Sequence, residues 1–331
     1  MKLLANDLKK LITKSNNIVI TTHRGPDGDA MGSSLALYNL LKKDHNVTVI
    51  TPNDYASFLN WMPGNANVIE FIGNEDKCKA ITDNADLIFM LDFNHLSRAD
   101  KYAELLKQSN AKKVLIDHHQ DPDETIADLI FSDTSSSSTC QLLFEIIDFM
   151  GLADKLNKEI ATCLYVGIMT DTGSFKYSST TSKTHEVVSK LIKYNIDNSS
   201  IHDYIFDNSS SDKMKLLGYC LNEKLLLYPQ NNAAIISLTN DELKKFNFQK
   251  GDTEGIVNYG LAIKGINITI LIVERGDVVK LSLRSKGNIE VNKIASKYFN
   301  GGGHINASGG ISYESVNDTI IKLENIFKTN F

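Results

Sequence analysis

Short apolar runs alternate with amphipathic stretches through the first half of the chain. Asn17–His23 (NIVITTH) is a β-branched run that leads into glycines. Ala30–Lys43 (AMGSSLALYNLLKK) spaces its apolar positions with a helical period, and Asn46–Thr51 (NVTVIT) is strand-like again. The alternation continues with a strand at Asp86–Phe93 (DLIFMLDF), a helix at Arg98–Gln108, a strand at Lys112–His119 (KKVLIDHH) and a helix at Ser138–Met150. Continuous apolar strands separated by helices predict a mostly parallel sheet covered on both faces. The first domain is therefore expected to be α/β and doubly wound.

Helical spacing persists through Asn157–Phe175 and Ser182–Ile196, and then the chain turns polar at Asp197–Lys213. That change predicts a catalytic-size domain over 1–196, a linker over 197–213 and a second domain over 214–331. The second part has a different grammar. Ala233–Thr239, Asn267–Glu274 and Val278–Ser285 read as strands, the last two flanking an Arg275–Asp277 turn. A helix at Val291–Phe299, a glycine-rich loop at Asn300–Gly310 and a final helix over 315–328 complete a smaller α+β domain.

A length of 331 residues suits two domains, and 42% hydrophobic with 23% charged residues is ordinary for a globular protein. The longest apolar stretches, such as Leu87–Leu91, are too short to span a bilayer. The first residues, MKLLANDLKKLITK, read as an amphipathic helix rather than a signal peptide. Cys78, Cys140, Cys163 and Cys220 are scattered without paired spacing, which suggests reduced thiols and a cytoplasmic setting. A net charge of −5 argues against a protein that holds long duplex nucleic acid by its phosphates. Locally, residues 262–297 carry seven Lys or Arg against three Asp or Glu. That segment reads either as a solvated face or as a seat for a short anionic ligand.

The candidate chemistry lies where the apolar runs stop. His23, Asp27 and Asp29 share one tight loop with Gly25 and Gly28. Alone, PDGD is also an ordinary turn, and Asp29 is also a candidate helix cap. Asp92 follows another apolar strand and alone reads as a loop or capping aspartate. Asp117-His118-His119 ends a third. Adjacent histidines beside a carboxylate have no common structural use, the alternative being a hydrogen-bonded loop cluster. Asp171, in MTDTGSF, sits where Gly173 also signals the end of a helix.

Convergence makes these motifs informative together. The C-terminal ends of parallel strands share one edge, where ligands of open α/β sheets bind. So many carboxylates at one edge repel one another unless cations intervene. Carboxylate and imidazole donors without thiolate suit Mn²⁺, with Mg²⁺, Co²⁺ or Zn²⁺ as weaker fits. The donors suffice for two ions that share a carboxylate. Such a pair, about 3.5–4 Å apart, acidifies a water and clamps a phosphoryl oxygen. This is machinery for phosphoester or phosphoanhydride hydrolysis. In the second domain, Gly301, Gly302 and Gly303 before His304 offer a nest of backbone N–H groups for an anion, or simply a flexible loop. Arg284 on a nearby strand suits a terminal phosphate. Facing domains of this kind describe an active site in an interdomain cleft.

At these residues the chain resembles the DHH phosphoesterase family. HRGPDGDAMGSSLAL, LDFNHLSR, IDHH and DTGSF look like its four N-terminal motifs, and FNGGGHINASGG resembles the glycine-rich motif of its associated C-terminal domain. The resemblance spans nearly the whole chain. Length and layout look like the nano-RNase subgroup of oligoribonucleases and exonucleases. These enzymes cut very short oligoribonucleotides and remove the 3′-phosphate from 3′-phosphoadenosine 5′-phosphate (pAp). Close relatives hydrolyse linear or cyclic di-adenylate.

The resemblance implies the following roles. His23, Asp27 and Asp92 bind one Mn²⁺. Asp29, Asp92, His118 and Asp171 bind the other, with Asp92 shared and Mg²⁺ or Co²⁺ as substitutes. His119 faces the substrate phosphate and helps protonate the leaving oxygen, while Asp117 orients the histidines from behind. Arg284 and His304 hold the distal phosphate or its base, backed by Gly301, Gly302 and Gly303, and Arg98 touches a phosphate. One departure is Asp92–His95 (DFNH), since many relatives carry a small polar residue after the aspartate. Phe93 and His95 therefore bear on substrate preference.

The function expected is a two-metal phosphoesterase acting on short oligoribonucleotides such as pApA and on pAp. No membrane and no long duplex is involved, and a homodimer is left open. The alternatives are a cyclic di-adenylate phosphodiesterase, an inorganic pyrophosphatase and a catalytically idle nucleotide-binding module.

Overall fold

Six parallel strands form the N-terminal sheet in the computed structural model, which describes residues 2–330 and side chains through 328. In chain order the elements of this unit are α1 (Lys2–Lys14), β1 (Asn17–Thr22), α2 (Gly28–Leu41), β2 (Asn46–Thr51), β3 (Val68–Glu70), α3 (Glu75–Asp83) and β4 (Leu87–Leu91). They continue with α4 (Ala103–Gln108), β5 (Lys112–Asp117), β6 (Leu129–Ser132), α5 (Thr139–Phe149), α6 (Lys158–Asp171), α7 (Ser182–Ile192) and α8 (Asn198–Phe206).

The strands lie in the order β3-β2-β1-β4-β5-β6. The chain moves outward from β1 to β3, then returns to the other side of β1 as β4. That reversal opens a crevice beyond the C-terminal ends of β1 and β4. Both faces of the sheet are covered. Ile18 and Ile20 point into a core with α1, α2, α5 and α6, whereas Val19 points into a second core with Phe93, Tyr102 and Leu106. Each such side chain contributes roughly 1.5–3 kcal/mol by leaving water. The result is the doubly wound α/β sheet that the apolar runs predict.

Close helix approach brings α2 and α6 together. A Cβ on Gly32 would meet the Cys163 carbonyl oxygen at 2.6 Å, and one on Gly167 would meet Cys140 Sγ at 2.2 Å and Asp29 Oδ1 at 2.6 Å. Only hydrogen fits at these crossings. The four cysteines are free and buried.

The chain divides into two compact units between Asn208 and Ser209. The polar stretch read as a linker is largely helical. Asp197 caps α8 by accepting from the Ser200 N–H, and Ile201 is buried in the N-terminal core. One buried residue in a short helix leaves almost no apolar periodicity to read.

The second unit comprises α9 (Ser211–Tyr219), β7 (Leu225–Tyr228), β8 (Ala233–Leu238), α10 (Asn240–Lys245), α11 (Ile256–Leu261), β9 (Ile268–Arg275) and β10 (Val278–Ser285). It ends with α12 (Val291–Tyr298), β11 (Gly302–His304), β12 (Ala307–Ser312) and α13 (Val316–Asn330). Its mixed sheet runs β11-β12-β10-β9-β8-β7, antiparallel except for the β8–β9 pair. One face packs Ile270, Leu283 and Phe299 with Leu323 and Phe327, and the other packs Ile236 and Leu271 with Leu216 and Ile256. Residues 300–310 are not a loop but the β11–β12 hairpin and its approach. Among the described residues, no helix is long and apolar enough to cross a membrane.

Candidate metal centre and phosphate face

His23 follows β1, Asp92 follows β4, and Asp117-His118-His119 closes β5, so adjacent strands deliver them to one edge. Asp92 has φ 64, a left-handed conformation uncommon outside glycine, and its N–H donates to the Ile116 carbonyl at 3.0 Å. Strain of this kind, tolerated by aspartate better than by most residues, aims the carboxylate out of the strand direction.

The loop after β1 is built around Asp27, the N-cap of α2. Its Oδ1 accepts from the N–H groups of Asp29 and Ala30. The cap is thus Asp27, not Asp29. A second tether holds the loop, since the Gly25 N–H donates to Asn53 Oδ1 at 2.6 Å. Asp29, 1% exposed, sits at the N-terminus of α5, where Thr139 N–H donates to Oδ2 at 2.6 Å and Cys140 N–H to Oδ1 at 2.9 Å. The next N–H of that helix, Gln141, is capped by Ser138 Oγ. An anion at a helix N-terminus gains from otherwise unpaired donors and from the helix dipole. Asp171 is the last residue of α6. The helix ends there because Gly173, at φ 57, and Ser174 fold back to donate to Thr170 and Met169 carbonyls, an αL stop.

Two donor sets result. Ligand-capable atoms of His23, Asp27 and Asp92 lie within 4.8 Å of one another, as do those of Asp29, His118 and Asp171. Asp92 belongs to the first set and also faces the second, with Oδ2 3.5 Å from His23 Nε2 and Oδ1 3.6 Å from His118 Nε2. His118 Nε2 also lies 3.3 Å from Asp171 Oδ2 and 3.9 Å from Asp29 Oδ2.

The histidine nitrogens test whether divalent cations fit. His23 Nδ1 faces the Arg24 carbonyl at 2.9 Å, and His118 Nδ1 faces the Ser136 carbonyl at 3.3 Å. A carbonyl only accepts, so each Nδ1 carries the hydrogen, and each neutral ring turns the lone pair of Nε2 toward carboxylates. Lone pairs facing carboxylates need a proton or a cation between them. Without metal the proton serves. Burial opposes it on His118, but Asp171, Asp92 and Asp29 together raise that pKa to about 9. At His23 burial likewise opposes the proton, and Asp92 and Asp27 outweigh it. Burial and the Asp92 charge push Asp29 up to about 7, while burial and neighbouring carboxylates raise Asp171 well above the usual range despite His118. Asp92 is depressed although burial works against it, because three imidazoles surround it. Four carboxylates and two neutral imidazoles match the charge of two divalent ions, and two atoms bound to one ion at about 2.1 Å sit about 3.0–3.4 Å apart. The residues fit.

His119 belongs to a different arrangement. Its Nδ1 donates to Asp117 Oδ1 at 2.7 Å, which fixes the ring and directs Nε2 away from the carboxylate. Asp117 is fully buried. Asp117 thus orients His119, whereas the Ser136 carbonyl is the partner found for His118 Nδ1. Arg98 lies in the short turn after β4, half-buried, and its charge reaches His23 and opposes protonation there. The Arg98 carbonyl accepts from the Arg24 N–H at 2.7 Å. Phe93 is fully buried beneath the sheet edge and His95 is exposed, so neither describes a pocket wall by burial alone.

In the second unit, register brings Arg284 and His304 to one face. Both pair with Ala307, from opposite sides, so the two side chains flank a single methyl group on the same surface. The glycines have a further use. Gly301 N–H donates to the Ala295 carbonyl and is not offered to an anion. A Cβ on Gly301 would meet the Gly309 carbonyl oxygen at 2.0 Å, and one on Gly310 would meet Phe299 at 2.7 Å. Glycine here lets backbones cross. The expected three-glycine nest is therefore reduced at Gly301, while Gly302 and Gly303 lie beside His304 in β11.

Thr139, Ser136, Asn53 and Gly167 hold the donors, and no motif points to them. The Ser138-x-x-Gln141 spacing does mark the start of α5. Nothing in the sequence says that this helix end receives Asp29.

Comparison with known proteins accords with the site. The DHH family N-terminal domain matches residues 17–168, and the DHHA1 domain matches residues 231–329. The chain is 30% identical over 332 residues to the bifunctional oligoribonuclease and PAP phosphatase NrnA of Bacillus subtilis, covering 98% of this chain and 99% of that protein. It is 26% identical to the cyclic-di-AMP phosphodiesterase GdpP of Bacillus subtilis, covering 100% of this chain and 50% of that protein. The crystal structure of an exopolyphosphatase-related protein from Bacteroides fragilis superposes with a TM-score of 0.94 at 37% identity, covering 99% of this chain and 96% of that one. With its four N-terminal motifs converging on one sheet edge and its full-length likeness to NrnA, this chain belongs to the DHH family of phosphoesterases, in the NrnA-like subgroup.

Proposed function

We propose that the chain is a two-metal phosphoesterase that hydrolyses short oligoribonucleotides to mononucleotides and pAp to AMP. The observation that carries the reading is the placement of Asp92 between two donor sets, one oxygen toward His23 and the other toward His118. The NrnA relative, similar along its whole length, supports the substrate class. His23, Asp27 and Asp92 would hold one ion and Asp29, Asp92, His118 and Asp171 the other, with Mn²⁺ favoured by the oxygen and imidazole donors. When bound, such ions neutralise the carboxylates, acidify a water and polarise the phosphoryl oxygen.

The chain's own groups have separate tasks. Asp117 keeps the Nδ1 proton of His119 in place, so Nε2 exchanges the proton needed by the leaving oxygen. Arg284 grips the substrate's terminal phosphate by paired N–H donors, and His304 adds a donor or stacks on a base. Arg98 contributes positive charge near His23. Selection of a terminal phosphate accounts for a short substrate without a long basic channel.

The test is a panel of pApA, pAp, cyclic di-adenylate and pyrophosphate, each assayed with Mn²⁺ and with chelator. Turnover of pApA and pAp with Mn²⁺, abolished by chelator and by Asp92→Ala, is expected. Undiminished turnover by Asp92→Ala refutes the shared-carboxylate assignment. The likeness to GdpP favours a second reading, a cyclic di-adenylate phosphodiesterase, and the same panel decides between them.

A further inference from the structure

Thr139 is the first residue of α5, fully buried, and it bonds two proposed metal ligands at once. Its N–H donates to Asp29 Oδ2 at 2.6 Å, and its Oγ1–H donates to Asp92 Oδ1 at 2.9 Å. Asp29 arrives on α2 and Asp92 on the turn after β4, so no covalent segment shorter than two crossovers links them. A single residue spans the gap. Oδ1 is also the Asp92 oxygen directed at His118, and hence at the second donor set.

We propose that Thr139 is a positioning residue. It sets the distance and rotation of Asp92 relative to Asp29 and thereby forms the second metal-binding set. This inference rests on the two-metal reading and deepens it. Two features support a role for the hydroxyl rather than for packing alone. Asp92 has the left-handed φ of 64, where side-chain direction is not secured by regular strand geometry. The ring nitrogens of His23, His118 and His119 stand 3.5 Å or more from its carboxylate oxygens, whereas the Thr139 hydroxyl reaches Oδ1 at 2.9 Å. The backbone half of the clamp survives any substitution except proline, because the N–H at position 139 is retained. Only the hydroxyl half is open to mutation, which makes the residue dissectable.

Partners that orient metal ligands are typically worth about 10–100-fold in metal affinity. Chelator-treated wild-type protein, Thr139→Val and Thr139→Ser should each be titrated with Mn²⁺ by calorimetry, and their electron paramagnetic resonance spectra recorded at two equivalents. Wild type and Thr139→Ser are expected to bind two ions with an exchange-coupled signal. Thr139→Val is expected to bind the second ion about 10–100-fold more weakly and to show an uncoupled signal at the same loading. Melting of the chelated proteins separates folding from ligand placement. If Thr139→Val does not fold, Thr139→Ala against Thr139→Ser supplies the same hydroxyl comparison. A valine or alanine variant with wild-type affinity and coupling overturns the role of Thr139, as does a serine variant as weak as valine. Failure of wild type itself to bind two ions overturns the two-metal reading instead.

Discussion

Gly167→Ala places one methyl group where the structure has no room. The new Cβ would lie 2.2 Å from Cys140 Sγ and 2.6 Å from Asp29 Oδ1. Ordinary contacts begin near 3.4–3.5 Å, so relief takes roughly 1 Å of separation. Asp29 cannot simply retreat, because Thr139 and Cys140 N–H groups hold it at 2.6 and 2.9 Å. Breaking hydrogen bonds to a buried carboxylate costs about 1.5–3 kcal/mol each. Moving α6 instead carries Asp171 with it, one turn further along the same helix. Either route displaces a proposed ligand of the second ion by far more than the ~0.2 Å a metal site tolerates.

Overpacking of this kind costs about 1–3 kcal/mol, or about 2–12 °C in Tm for a unit of this size. Misplacement of about 1 Å costs about 100-fold in rate. Melting in chelator, Mn²⁺ titration and turnover of pApA measured on one preparation check all three. Gly218→Ala is the control. Gly218 lies in α9 with open space around its missing Cβ, so the change is expected to be neutral or stabilising by about 0.5–1 kcal/mol. A Gly167→Ala protein that melts, binds Mn²⁺ and turns over like wild type would show that this crossing does not position Asp29 or Asp171.

In metal-free protein, His118 has its pKa raised from 6.5 to about 9, so its contribution is fully present below about pH 6.5 and lost as pH rises through about 9. At about 1.4 kcal/mol per pH unit over about 2.5 units this is roughly 3–4 kcal/mol. Chelated protein should melt lower at pH 9 than at pH 6, and His118→Asn should flatten that slope; an unchanged slope in the variant removes His118 as its source. Asp29, raised to about 7, acts in the same direction at lower pH, its contribution fading between about pH 4 and 7. Arg284→Ala is expected to raise KM about 10–100-fold for substrates with a free terminal phosphate and to leave kcat within severalfold. A fall in kcat with unchanged KM would move Arg284 from substrate binding to the chemical step.

The six proposed ligands were legible because each ends or follows an apolar run and the motifs converge, although singly Asp27, Asp29, Asp92 and Asp171 also read as turn, cap or helix-end residues. Only His118, beside His119 and Asp117, has no common structural use on its own. What holds them was not legible, because it is tertiary. Thr139 looks like any residue after a serine tract until α5 is seen to end on Asp29. Gly167 looks like a tolerated helical glycine until α2 and α5 crowd it. The strands β3 and β6 are three and four residues long, too short to show periodicity. The Gly302–Ser312 hairpin was hidden because glycines erase the alternation that marks a strand, although they are what lets it pass α12.

The proposed donors are distributed from the first strand turn to the end of α6, with β2, β4, β5 and α5 folded between them. The first set is complete only once the chain has reached Asp92, and the second only once it has reached Asp171. Parallel pairing of sequence-distant strands is slow to form, and it must be finished before Asp92 can meet His23 and His118. Uptake of a second Mn²⁺ would therefore double as a proofreading mark of complete assembly, absent from truncated, partly synthesised or misregistered chains.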